Sequence, residues 1–130
     1  MRTRQTLNLV ADVENTLPLD NTGPILNARY TPNNAITIDE AGIYKIDYFI
    51  TIESPTDVIF TLAVKKDQDI ITGSDVNGDG ITDYYTQLSG TIITQLLPEE
   101  VITLMLKASK TVNISFNGST NAKINIIKLS

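Results

Sequence analysis

A chain of 130 residues, 42% apolar and 19% charged, is long enough for one domain with its own core, and its composition argues against wholesale disorder. Its formal net charge of −5 gives no electrostatic reason to bind nucleic acid or an anionic membrane. With neither cysteine nor histidine, the chain lacks disulfides, thiolate sites, and the usual general base and metal ligand.

Residues 1–10 lack the continuous apolar segment of a secretory signal, and no later run approaches membrane-spanning length. The expectation is that the chain is made without classical export, or that what precedes it natively has been removed. Residues 6–10 alternate weakly, with Leu7 and Leu9 on one face, and predict a short or edge strand. Residues 11–24 carry Asp12, Asn15, Pro18, Asp20, Asn21, Gly23 and Pro24, a loop composition with brief pairing near Leu17 and Leu19. Residues 25–30 pair briefly, Thr31-Pro32-Asn33-Asn34 turns the chain, and residues 35–38 form a short strand with Ile36 and Ile38 on one face. Asp39-Glu40-Ala41-Gly42 is the next turn.

Residues 42–53 are the clearest strand. Tyr44, Ile46, Tyr48, Ile50 and Ile52 fall on one face and Lys45, Asp47, Thr51 and Glu53 on the other, whereas a helix would scatter both sets. Phe49 breaks the pattern, being apolar on the polar face. Ser54-Pro55-Thr56-Asp57 is a hairpin-sized connection to residues 58–65, where Val58, Phe60, Leu62 and Val64 oppose Ile59, Thr61, Ala63 and Lys65. Residues 66–71 continue into a short strand before a loop rich in Gly and Asp. Residues 84–88 read as a strand, Ser89-Gly90 as a turn, and residues 91–97 as a strand with Ile92, Thr94 and Leu96 facing away from Ile93 and Gln95. After a turn at residues 97–100, residues 101–108 set Ile102, Leu104 and Leu106 against Val101, Thr103, Met105 and Lys107. Val112, Ile114 and Phe116 form the next apolar face, residues 117–121 turn, and residues 123–129 close the chain. About eight to ten short strands at regular spacing, with no helical crossover, predict an all-β, two-sheet antiparallel sandwich.

The order of these segments resembles the jelly roll of the C1q and tumour-necrosis-factor type, and within it the small carboxy-terminal domain of bacterial collagen-like spore-surface (exosporium) glycoproteins. The residues that carry the resemblance are Asn33-Asn34-Ala35-Ile36-Thr37-Ile38, Ala41-Gly42-Ile43-Tyr44-Lys45-Ile46-Asp47-Tyr48, Leu88-Ser89-Gly90-Thr91-Ile92, and the closing run from Asn121 to Leu129. It covers most of the chain from Leu17 to Ser130. The resemblance implies a single jelly-roll domain over residues 1–130, with residues 1–16 as a peripheral strand or loose amino-terminal segment. It further implies a tight homotrimer with the inner sheets around a threefold axis, both termini near the base, and an extracellular or spore-surface location. In the spore-surface relatives such a domain aligns a Gly-X-Y stalk; this chain contains no Gly-X-Y repeat.

Phe49, Ile59, Ala63, Val101, Met105, Ile127 and Leu129 are apolar residues on faces opposite the expected core, and burial between copies of the chain would account for them. The alternative is cover within one subunit, or a bulge that inverts the facing of later residues.

Asp75-Val76-Asn77-Gly78-Asp79-Gly80-Ile81-Thr82-Asp83 places oxygen ligands at loop positions one, three, five and nine, with glycine at six. Asp75, Asn77, Asp79 and Asp83 thereby resemble the ligands of an EF-hand or dockerin calcium loop, although Thr86 stands where a bidentate carboxylate belongs. The alternative is an acidic surface loop. Asp47 and Glu53 lie apart on a strand and read as structural carboxylates; Tyr84 or Tyr85 could stack against a sugar. Asn113-Ile114-Ser115 and Asn117-Gly118-Ser119 match the glycosylation sequon. The expected function is a non-catalytic homotrimeric structural module that needs no cofactor. The alternative is a surface module that recognises a receptor, another surface protein or a carbohydrate, organised by calcium.

Overall fold

The structure, a computed structural model, describes residues 6–19, 25–116 and 122–130. The turn expected over residues 117–121 and the sequon beginning at Asn117 lie outside the described residues.

Strand β5 (Gly42–Glu53) organises one sheet. Its alternation is realised residue by residue: Tyr44, Ile46, Tyr48, Ile50 and Ile52 are all buried, and their β-branched and aromatic side chains suit a pleated, half-covered surface. Along one side it pairs over its whole length with β9 (Tyr85–Leu96), from Gly42↔Leu96 to Glu53↔Tyr85. Along the other it pairs with β12 (Lys123–Lys128) and, at its far end, with β11 (Val112–Phe116), onto which β1 (Thr6–Leu9) adds. The second sheet runs β3 (Ala28–Thr31), β4 (Ala35–Ile38), β10 (Val101–Ala108) and β6 (Val58–Lys66). Strands β7 (Asp69–Ile70) and β8 (Val76–Gly80) both pair with β6, and β2 (Asn15–Thr16) pairs with β10. Every ladder between these strands is antiparallel; two isolated parallel bridges, Leu19↔Ala122 and Ile25↔Ile126, tie the segment between β2 and β3 to the closing strand.

The inner faces meet in one core. Phe60, Leu62 and Val64 come from β6, Ile102, Leu104 and Leu106 from β10, and Ile114 and Phe116 from β11. Two buried tyrosines satisfy their hydroxyls on backbone carbonyls, as burial demands. Tyr48 donates to Ser74 O and Tyr44 to Glu40 O.

Two expectations are corrected. Ser89-Gly90 is not a turn: both residues lie inside the continuous strand β9, opposite Phe49 and Tyr48. A Cβ at Gly90 would sit 2.5 Å from the Tyr48 hydroxyl, so the glycine makes room for a ring rather than bending the chain. Residues 76–80 form strand β8 rather than part of a loop. Gly78 and Gly80 lie on its inward face, where an added Cβ would meet Leu88 Cδ2 at 2.2 Å and a Phe60 ring carbon at 2.4 Å. The described residues hold twelve strands, more than the eight to ten expected, because two-residue pairings such as β2 and β7 carry no periodicity of their own.

Candidate functional site

The register assigns the seven candidate interface residues to opposite sides of the sandwich. Phe49, Ile127 and Leu129 belong to the outer face of the β5 sheet, where Ile127 pairs with Lys45, and the Leu129 N–H donates to Ile43 O at 2.6 Å. Ile59, Ala63, Val101 and Met105 belong to the outer face of the β6 sheet, with Met105 paired to Ala63 and to Thr16. One flat interface cannot include both groups.

Ala63 and Met105 are 0% and 1% exposed within the single chain. The reading that set them aside for burial between copies is corrected: they are covered inside one subunit. Lys65, opposite Thr103, reaches Glu14 Oε1 with its Nζ at 2.9 Å, so this ion pair crosses β10 on the face that carries Met105. Val101 is half-buried, and Ile59 remains 54% exposed near the β8 edge.

The β5 face is different. Ile93, which pairs with Lys45, is 64% exposed, Leu129 is 52% and Ile127 is 39%. With half-buried Ile43 they form an apolar patch at the Gly42 end of the sheet. Between Ile93 and Ile127 stands Lys45, whose Nζ lies 3.8 Å from Asp47; that carboxylate also accepts a 2.6 Å hydrogen bond from Thr91. Lys123 Nζ stands 5.9 Å from the centre of the Phe49 ring, within cation–π reach. Ile43 and Ile93 are absent from the candidate set drawn from the sequence, although the alternation over residues 91–97 already separated Ile93 from the core-facing Ile92.

The acidic segment runs along an edge rather than closing around a point. Asp75, Asn77 and Asp79 alternate outward from β8 and its approach, and Asn77 Oδ1 accepts a hydrogen bond from Thr61 at 2.8 Å. Asp83 lies beyond the strand at φ 66°, its N–H bonded to Ser54 O. Among the described residues no group of three or more carboxylate, histidine or cysteine side chains gathers to hold a metal. Close by, the N–H and Oγ1–H of Thr82 both donate to Asp57 Oδ1 at 2.8 Å, holding that carboxyl below its ordinary value. The pair fixes the turn between β8 and β9. Tyr84 and Tyr85 are 70% and 50% exposed at the start of β9. Asp47 and Glu53, on one face of β5, are separated by two further outward positions. Among the described residues no helix is long and apolar enough to cross a membrane.

No family model matches the chain, and no curated protein sequence matches it. Solved structures do. Eiger TNF from S. frugiperda superposes with a TM-score of 0.60 at 11% identity, covering 99% of this chain and 94% of that one. Murine APRIL superposes with a TM-score of 0.58 at 11% identity, covering 98% of this chain and all of the other. These likenesses establish the fold: the chain is an all-β, two-sheet antiparallel jelly-roll sandwich of the C1q and tumour-necrosis-factor type.

Proposed function

We propose that the chain is a non-catalytic structural module that assembles as a homotrimer through the β5 face, displayed on a bacterial spore or cell surface, where it would trimerise a collagen-like stalk. The observation that carries the reading is the exposed Ile93, Ile127 and Leu129 beside half-buried Ile43, with Phe49 further along the same face. Beside it lies a second unusual surface. Among the described residues β9 ladders only with β5, and its twelve residues, YTQLSGTIITQL, contain no charge and no proline. Such an edge invites association unless something covers it. Other edges carry protection: Arg29 on β3 is ion-paired to Asp39, Asp79 lies on β8, and β1 is only four residues long.

An edge of one copy resting on the β5 face of the next is a heterologous contact. Repeated with closing rotation it makes a ring, and three copies is the closure that the fold likeness favours. Lys45, Asp47 and Thr91 set register within such a contact, while the apolar side chains flanking Lys45 supply its burial.

Light scattering on the purified chain, with and without a chelator, tests the reading. The expected mass is that of three chains in both conditions. A single-chain mass at micromolar concentration overturns it, and a trimer that falls apart with the chelator overturns the independence from calcium.

A further inference from the structure

On the opposite side of the sandwich the β6 sheet forks. Strand β4 pairs with β10 only at Val101 and Ile102, β2 takes over at Met105 and Leu106, and the two leave a gap beside Thr103. A cavity of about 440 Å³ opens over that gap. Its size falls in the range of small-molecule sites, roughly 300–1,000 Å³. Ala35 and Val101 contribute apolar surface. One wall is the β3–β4 turn, where consecutive left-handed residues, Asn33 at φ 70° and Asn34 at φ 58°, set Pro32 and Asn33 at the rim. The other is the β6–β7 turn with Asp67 and Gln68, and Thr16, Thr31, Lys65 and Thr103 complete the lining.

From this arrangement we infer a binding site for a neutral polyhydroxylated ligand, a sugar unit or short saccharide. The two charged groups at the site are already engaged within the chain. Lys65 is paired to Glu14 at 2.9 Å, and Asp67 Oδ1 accepts the Val101 N–H at 3.0 Å. Together they favour neither an anion nor a cation. The hydroxyls and amides of Thr16, Asn33, Gln68 and Thr103 make no hydrogen bond to another described residue. Each such group both donates and accepts, which matches the hydroxyls of a sugar, while Val101 and Ala35 offer an apolar surface to its C–H face. The exposed tyrosines at residues 84 and 85 belong to a different end of the molecule and take no part.

Saturation-transfer NMR with glucose, galactose, mannose and N-acetylglucosamine tests the inference on the whole chain. At least one sugar is expected to receive saturation, with affinity reduced roughly fivefold in Thr103→Val and in Gln68→Ala, the loss of one net hydrogen bond. Gln68 lies in an exposed turn, so its variant keeps the test informative if Thr103→Val fails to fold. Tyr84→Ala and the interface variant Ile127→Lys are expected to bind as the parent does. The cavity is built within one chain, so a monomeric protein that still binds sugar separates this inference from the trimer reading. No saturation of any of the four sugars, unchanged affinity in both site variants, or loss in Tyr84→Ala overturns it. Displacement by inorganic phosphate also overturns it, in favour of an anion held by Lys65.

Discussion

Tyr48 links three parts of the chain through one side chain. Its ring fills the space that Gly90 leaves, and its hydroxyl is the hydrogen-bond donor to Ser74 O; the Ser74 hydroxyl in turn accepts from Val64 N and donates to Val64 O. Replacing Tyr48 by Phe keeps the ring and leaves a buried carbonyl without its donor, a loss of about 1–3 kcal/mol in urea denaturation. Gly90→Ala pushes a methyl group against the same hydroxyl and is expected to cost about 1–3 kcal/mol. If Gly90 served only to bend the chain, alanine there would leave the Tyr48 region undisturbed. Burial, and then the nearby Asp75 carboxylate, raise the Tyr48 phenol above its ordinary 10.0. A raised phenol keeps its proton in the folded state after the unfolded chain has lost it. The stability it contributes is therefore complete below 10.0 and is lost as pH rises from there through the folded value. Tyr48→Phe is expected to be less stable than the parent at neutral pH and to lose less as the solution becomes alkaline. Equal alkaline losses in the two proteins would remove Tyr48 as a cause. The inward facing of Tyr48 was legible from alternation alone. The reason for Gly90 was not, because a glycine that makes room for a ring and one that turns the chain look identical in sequence.

Among the strands, β8 shows how composition misleads. Asn-Gly and Asp-Gly pairs are turn chemistry, yet here the glycines face inward beneath Leu88 and Phe60, and the acidic residues face out. What sequence reasoning needed was the period of two across Val76, Gly78 and Gly80, which is invisible when two of three inward residues have no side chain. Gly80→Ala is expected to destabilise by about 1–3 kcal/mol through its clash with Phe60, while Asp79→Ala, on the exposed face, changes stability by no more than about 0.5 kcal/mol. Thermal unfolding of the two variants separates a packed strand from a loop: a loop would tolerate both. Ligand positions two residues apart on an extended strand are spaced about 6.6–6.8 Å along it, too far apart to close on one ion without help from elsewhere. The melting temperature is accordingly expected to be the same in millimolar calcium and in chelator, and a calcium-dependent rise of several degrees would show that Asp75, Asn77, Asp79 and Asp83 converge after all.

At the scale of the whole molecule, alternation told which residues oppose the core but not which sheet they belong to. Phe49 and Met105 therefore looked alike in sequence, although strand pairing sends them to opposite sides and the Lys65–Glu14 pair spans the second. That difference makes the assembly reading testable by position. Ile93→Lys and Ile127→Lys each place a second ammonium directly opposite Lys45 on the β5 face, where closure around a threefold axis would have to desolvate two like charges side by side. Both side chains are well exposed in the single chain, so the fold itself should be preserved, with melting of the isolated subunit shifted only slightly. Ile59→Lys makes a comparable change at similar exposure on the β6 face, which the proposed contact leaves in solvent. Light scattering is expected to give one third of the parent mass for the two β5-face variants at micromolar concentration and the full parent mass for Ile59→Lys. If Ile59→Lys alone dissociates the assembly, the contact lies on the opposite sheet, and the open β9 edge must be covered in some other way. If all three retain the parent mass, the exposed isoleucines are surface residues and the assembly is held elsewhere.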